Sequence, residues 1–273
     1  MSVNSNSNPD SSSVAALPRY LVGTSLKMYF GHARTLDWTV ETAATAGRHP
    51  LVTTGAVGLF LMPQFPSIPA CLDAAGPILI GAQDLAADDE GPWTGEVSGA
   101  VLSELGCRLV EVGHAERRRH FGETVEVVRA KVHAAVRNGL VPVLCVGEDA
   151  ETSPAEAARA VLAEVTSALP DSALAAGGPP GLVIAYEPIW AIGAPRPARP
   201  EYIGRVCSIL RDRLRSQLPT TDLRIIYGGS AGPGLLTGIG TEVDGLFLGR
   251  FAHDPAAVAA VLDELSDLIG DAA

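Results

Sequence analysis

Three residues in this chain carry side chains suited to moving a proton beside a carbonyl group: Lys27, His114 and Glu187. Each follows a short apolar run, in "RYLVGTSLK", "RLVEVGH" and "GLVIAYE". A carboxylate held in a dry pocket gains basicity and can abstract a carbon-bound proton. A neutral imidazole can polarise a carbonyl oxygen as charge builds on it, and a lysine ammonium adds fixed positive charge for an anionic substrate. Two glycine-containing turns, Gly228-Gly229-Ser230 and Gly249-Arg250, offer backbone N–H groups to a phosphate. The segment "GPGLLTG", which follows the first turn, is expected to aim a helix N-terminus at the same phosphate.

These residues need a frame that brings their ends together. Eight apolar, β-branched runs recur along the chain, the others being "VGLFLMP", "PILIGAQD", "VPVLCVGE", "LRIIYGGS" and "VDGLFLGR". Nearly continuous apolar runs are what parallel strands covered on both faces require. Between them lie helical patterns, among them "TVEVVRAKVHAAVRNG", "PAEAARAVLAEVTSAL", "PEYIGRVCSILRDRLRSQL" and "PAAVAAVLDELSDLIG". Ser153-Pro154 and Asp254-Pro255 each place a capping side chain before a proline suited to the first helical position. Eight β-then-α units predict an α/β fold, a single (β/α)8 barrel, with catalytic residues at the C-terminal strand ends. An open doubly wound sheet would call for Gly-x-Gly-x-x-Gly after the first strand, where the chain reads "TSLKMYFGH". The expected barrel spans residues 19–273, behind a disordered Ser/Asn-rich tail over residues 1–18 with no apolar signal-peptide core.

The composition narrows the function further. The chain has 273 residues, 47% of them hydrophobic, and a net charge of −11. That charge argues against a nucleic-acid partner, and no apolar stretch is long enough for a membrane span. Cys71, Cys107, Cys145 and Cys207 form no Cys-x-x-Cys pair and the six histidines are scattered, so neither a metal nor a cofactor is expected. The cysteine spacing suggests no disulfide framework, which makes a reducing cytoplasm the expected setting. The basic cluster Arg117-Arg118-Arg119-His120 reads as a solvated face or a set of internal ion pairs.

From about Tyr20 to Gly270 the chain resembles the triosephosphate isomerase family, on "AYEPIWAIG", "VGHAERR", "CVGE", "TGEVSGAVLSELG" and "IIYGGS". A glutamate base paired with a neutral histidine electrophile under a closing lid is the known arrangement of that family. The resemblance implies that Glu187 is the base, His114 the electrophile and Lys27 the substrate-binding lysine, with Glu116, Cys145, Trp190 and Tyr227 in supporting positions. It implies a lid from Trp190 to about Ala198, a phosphate site at Gly193, Ser230, Gly249 and Arg250, and a substrate contact at Ser25. It also implies a small phosphorylated sugar substrate, a role in glycolysis and gluconeogenesis, and a homodimer made through the loop at 84–96, with Trp93 and Thr94 as the contact.

Four stretches depart from the family pattern. Asn-Trp-Lys-Met-Asn is here Ser25-Leu26-Lys27-Met28-Tyr29, and the serine that follows the histidine is Ala115. The lid's Gly-Thr-Gly-Lys is Gly193-Ala194-Pro195-Arg196, and the last phosphate-binding Gly-Gly is Gly249-Arg250. The Asn-to-Ser change leaves room beside the carbonyl end. The simplest reaction is dihydroxyacetone phosphate to glyceraldehyde 3-phosphate. The alternative is a paralogue that interconverts L-erythrulose 1-phosphate and D-erythrulose 4-phosphate in polyol breakdown. A barrel that binds a sugar phosphate without catalysis is the remote third reading. Pro195 and Pro197 fix φ inside the lid, so its swing is expected at hinges near Pro188–Trp190 and Arg196–Ala198.

Overall fold

Strands rich in apolar and β-branched residues pair side by side and leave no polar face, so helices must cover them. The computed structural model describes residues 16–270. Its strands are β1 (Tyr20–Ser25), β2 (Val57–Met62), β3 (Ile78–Ala82), β4 (Leu109–Val112), β5 (Val141–Val146), β6 (Gly181–Tyr186), β7 (Asp222–Tyr227) and β8 (Gly245–Leu248). All are parallel and each pairs with the next, and β1 closes the ring on β8 through Leu21↔Gly245 to Thr24↔Leu248. These are the eight runs read from the sequence, closed into the expected barrel.

The helices among the described residues are α1 (His32–Ala46), α2 (Pro50–Thr53), α3 (Ile68–Ala74), α4 (Gly99–Leu105), α5 (Ala115–Phe121), α6 (Val125–Arg137), α7 (Pro154–Ala168), α8 (Asp171–Ala175), α9 (Pro200–Gln217), α10 (Leu235–Ile239) and α11 (Pro255–Gly270). Their starts follow local chemistry. Ser153 and Glu156 form a reciprocal capping box at α7, and the Asp254 carboxylate accepts the Ala256 N–H at α11.

Side chains alternate along each strand. On one side they fill the barrel interior, with Leu21, Phe60, Leu109, Val143, Val183 and Phe247 in one cluster. On the other they pack under the helices, with Val22, Leu59, Val110, Val112, Ile184 and Ile225 in the larger cluster. The same alternation turns Glu111, between Val110 and Val112, toward the interior. Asp244, fully buried before β8, pairs with Arg19 and Arg211 and accepts the Ile225 N–H, which ties β8 to β7 and to the start of the barrel.

The expected tail boundary moves. Leu17 is buried, its N–H donates to Asp222, and Arg224 donates to the carbonyls of Leu17 and Pro18. Residues 17 and 18 therefore pack with the barrel. The disorder expected of residues 1–15 lies outside the described residues. Among the described residues no helix is long and apolar enough to cross a membrane.

Candidate active site

Lys27, His114 and Glu187 meet at the C-terminal mouth of the barrel, where the sequence placed them. They come from the loop after β1 and from the ends of β4 and β6. Lys27 holds φ 47°, a left-handed conformation uncommon outside glycine and often found where function over-determines the backbone. Its ammonium lies 3.0 Å from Glu116 and 2.9 Å from His114 Nε2. Burial works against the Lys27 charge, but Glu111, Glu187 and Glu116 together hold its pKa above the ordinary lysine value. Burial likewise opposes the charge on Glu116, and the contact with Lys27 outweighs it and keeps that carboxyl below its usual range.

His114 caps α5. Its Nδ1 accepts the N–H of Glu116 at 3.1 Å. A ring nitrogen that accepts carries no proton, so the neutral ring bears its hydrogen on Nε2. That N–H and the Lys27 ammonium are both donors and do not bond to each other. An oxygen acceptor placed between them in the cavity both line would satisfy both.

Glu187 follows β6 and is held through its backbone, whose N–H donates to Val146 O at 2.8 Å. The residue is 7% exposed, and Oε2 is buried without a hydrogen-bond partner, 3.6 Å from His114 Nε2. A buried, unpartnered carboxylate oxygen is costly and marks a group held for reaction. The neighbouring strands make way for it. A Cβ at Gly228 would overlap the Glu187 carboxylate, and one at Gly147 would overlap its backbone carbonyl. Those two glycines are therefore steric requirements of the Glu187 position.

Ser25, Gly193, Ser230, Gly249 and Arg250 line the same cavity of about 130 Å³. The expected helix N-terminus is corrected. At α10 the N–H groups of Gly234 and Thr237 already donate to Glu264, so that end is taken by a side chain of α11. The turn that faces the cavity is instead the 3₁₀ turn Arg250–His253, directly after Gly249. Arg250 is exposed at the rim.

The segment expected to be the lid, Trp190 to about Ala198, is tied at both ends. Trp190 Nε1 donates to Glu148 at 2.9 Å, and the hydroxyls of Tyr186 and Tyr202 donate to the same carboxylate at 3.1 and 2.8 Å. Burial and then Glu148 push the Tyr202 hydroxyl up to about 12, so it stays a donor at neutral pH. Ser230 Oγ donates to Ala191 O and Ala194 O at 3.2 and 2.9 Å. The Ala198 N–H donates to the Tyr227 hydroxyl at 3.2 Å, and that hydroxyl donates to Gly229 O at 3.0 Å. The arginine cluster is partly internal, with Arg117 on Asp84 and Glu123 and Arg118 on Glu164.

Sequence reasoning missed one member of the cavity. Glu111, on β4, is 4% exposed and accepts a hydrogen bond from Ser25 Oγ at 3.0 Å. Burial pushes its carboxyl above the usual range, against the pull of His114 and Lys27. Cys145 sits beside it, its thiol 4.0 Å from Glu111 and pushed well above the usual range by burial, then by Glu187 and Glu111.

A carboxylate, an imidazole N–H and an ammonium around one enclosed point, at the mouth of a closed eight-stranded barrel, can shift a proton between adjacent carbons. Fold and site thus define the class as an enzyme of the isomerase type. The family model described as triosephosphate isomerase matches residues 20–265, and the chain belongs to that family as a phosphosugar isomerase. It is 51% identical to the L-erythrulose-1-phosphate isomerase of Pectobacterium atrosepticum over 253 residues, which cover 92% of this chain and 97% of that protein. It is 39% identical to the triosephosphate isomerase of Moorella thermoacetica over 78% of this chain and 88% of that protein. The crystal structure of triosephosphate isomerase from Bartonella henselae superposes with a TM-score of 0.76 at 27% identity, covering 91% of this chain and 99% of that one.

Proposed function

We propose that this isomerase interconverts L-erythrulose 1-phosphate and D-erythrulose 4-phosphate. The observation that carries this reading is the 51% identity, over nearly the full length of both chains, to a protein named for the first of these substrates. In this reading Glu187 takes the proton from C3 while the C2 carbonyl is polarised by His114 Nε2–H and Lys27. The C–H electron pair becomes the C2–C3 double bond of an enediolate, and the carbonyl π pair moves to oxygen. One proton then shifts between the two oxygens, and Glu187 returns its proton to C2. No electron acceptor is needed, because C2 is reduced as C3 is oxidised.

The backbone of Gly193 and Gly249, with Ser230 and Arg250, receives the phosphate. Trp190, Tyr227 and Glu148 anchor a lid that excludes water from the enediolate. A homodimer forms through the loop at 84–96. Midway along that loop Asp89 is bound by Arg137 and Asn138, while Trp93 is 53% exposed. The acceptor is a groove beside the active site lined by Met28, Phe65 and Phe121, with Met28 85% exposed. Four free, buried cysteines suit a reducing compartment, and a tetrulose phosphate places the reaction in polyol breakdown.

The test is phosphorus and proton NMR of L-erythrulose 1-phosphate with the enzyme in deuterium oxide. Conversion to the 4-phosphate with deuterium at the reacting carbon is expected. No conversion, under conditions where dihydroxyacetone phosphate is turned over rapidly, would return the protein to triose chemistry.

A further inference from the structure

Glu111 is a buried acid that the proton transfer does not use. It stands on β4, across the barrel from β8, and lines the same cavity as Lys27, His114 and Glu187. An ionised carboxylate can accept about four hydrogen bonds. Ser25 Oγ supplies one to Oε2 at 3.0 Å. Oε1 has only the Cys145 thiol, 4.0 Å away and a weak donor. A carboxylate enclosed this fully is costly to leave so poorly met. The residue itself lines the substrate cavity.

The direction of the cavity says which part of a substrate would arrive there. The phosphate end is fixed by Gly193, Ser230 and Gly249, on the loops after β6, β7 and β8. The reacting carbons lie among Glu187, His114 and Lys27. On the tetrulose reading, the carbon beyond that pair meets Ser25 and Glu111, which line the cavity from the end of β1 and from β4, the strand opposite β8. In a tetrulose 1-phosphate that further carbon is a hydroxymethyl group, and in a triose phosphate it is missing.

We infer that Glu111 and Ser25 form a specificity subsite that binds the hydroxyl of the carbon beyond the reacting pair. The hydroxyl donates to the open oxygen of Glu111 in a charge-assisted bond, and Ser25 holds the carboxylate in place and leaves room for the extra carbon. A three-carbon substrate leaves the buried acceptor unmet, which is how a polar site rejects an analogue that lacks the hydroxyl. This inference rests on the tetrulose reading of the active site. The rival account is that Glu111 acts only as a charge near Lys27, which would affect every phosphosugar alike.

The test is the ratio of kcat/KM for L-erythrulose 1-phosphate to that for dihydroxyacetone phosphate, in wild type, Glu111→Leu, Glu111→Gln and Ser25→Ala. In Glu111→Leu the ratio is expected to fall by about ten- to a hundredfold. The isosteric Glu111→Gln, which keeps one acceptor, and Ser25→Ala give smaller falls in the same direction and serve if the leucine variant does not fold. A wild-type ratio above one that stays within about threefold in all folded variants overturns the inference alone. A wild-type ratio below one overturns the tetrulose reading and the inference with it.

Discussion

Glu187 owes its position to its neighbours. Gly147 and Gly228 clear the space, Val146 O fixes the backbone, and no donor reaches the buried Oε2. Replacing Glu187 with Gln keeps the shape and removes the proposed base, so kcat is expected to drop by about 10²- to 10⁴-fold with the circular dichroism spectrum unchanged. A variant within tenfold of wild type would move the base elsewhere. The convergence of Lys27, His114 and Glu187 was legible because each follows an apolar run, and a barrel gathers the residues at its C-terminal strand ends. Glu111 carries a similar signal, an acid inside the run "RLVEVGH", but it lies mid-strand, away from the ends where barrel chemistry was sought. Only the alternation of side chains, once the register is known, turns it inward.

The lid is a short element whose ends are pinned by side chains from other strands. Glu148, from the end of β5, gathers Trp190, Tyr186 and Tyr202, and Tyr227, from the end of β7, receives the Ala198 N–H. Pro195 and Pro197 restrict the middle, so any opening is expected to break the contacts at the two ends. In Tyr227→Phe the Ala198 amide loses its acceptor. Its hydrogen exchange is expected to quicken and kcat/KM to fall several-fold, as suits one neutral hydrogen bond. Unchanged exchange at Ala198 would remove the latch from the account. Strands and long helices were legible because their periodicity is local. The phosphate-facing turn was not, because the N-terminus of α10 is capped by Glu264, a residue of α11 that no local pattern announces. The tail boundary shifted for the same reason, since Arg224 reaches back to Leu17 and Pro18 from β7.

At the scale of the molecule, a chain with a net charge of −11 must attract an anion by local means, and Lys27, Arg250 and backbone N–H groups at one mouth of the barrel are the proposed ones. The exposed apolar side chains beside that mouth make the same region the proposed subunit interface. Sedimentation equilibrium is expected to give a dimer, and Trp93→Asp to shift it toward monomer with loss of activity. A monomeric, fully active wild type would separate the site from any partner. The central claim concerns the substrate, and steady-state kinetics on the unmodified protein tests it most directly. Measured side by side, kcat/KM for L-erythrulose 1-phosphate is expected to exceed that for dihydroxyacetone phosphate by about tenfold or more; a preference for the triose phosphate would contradict the account.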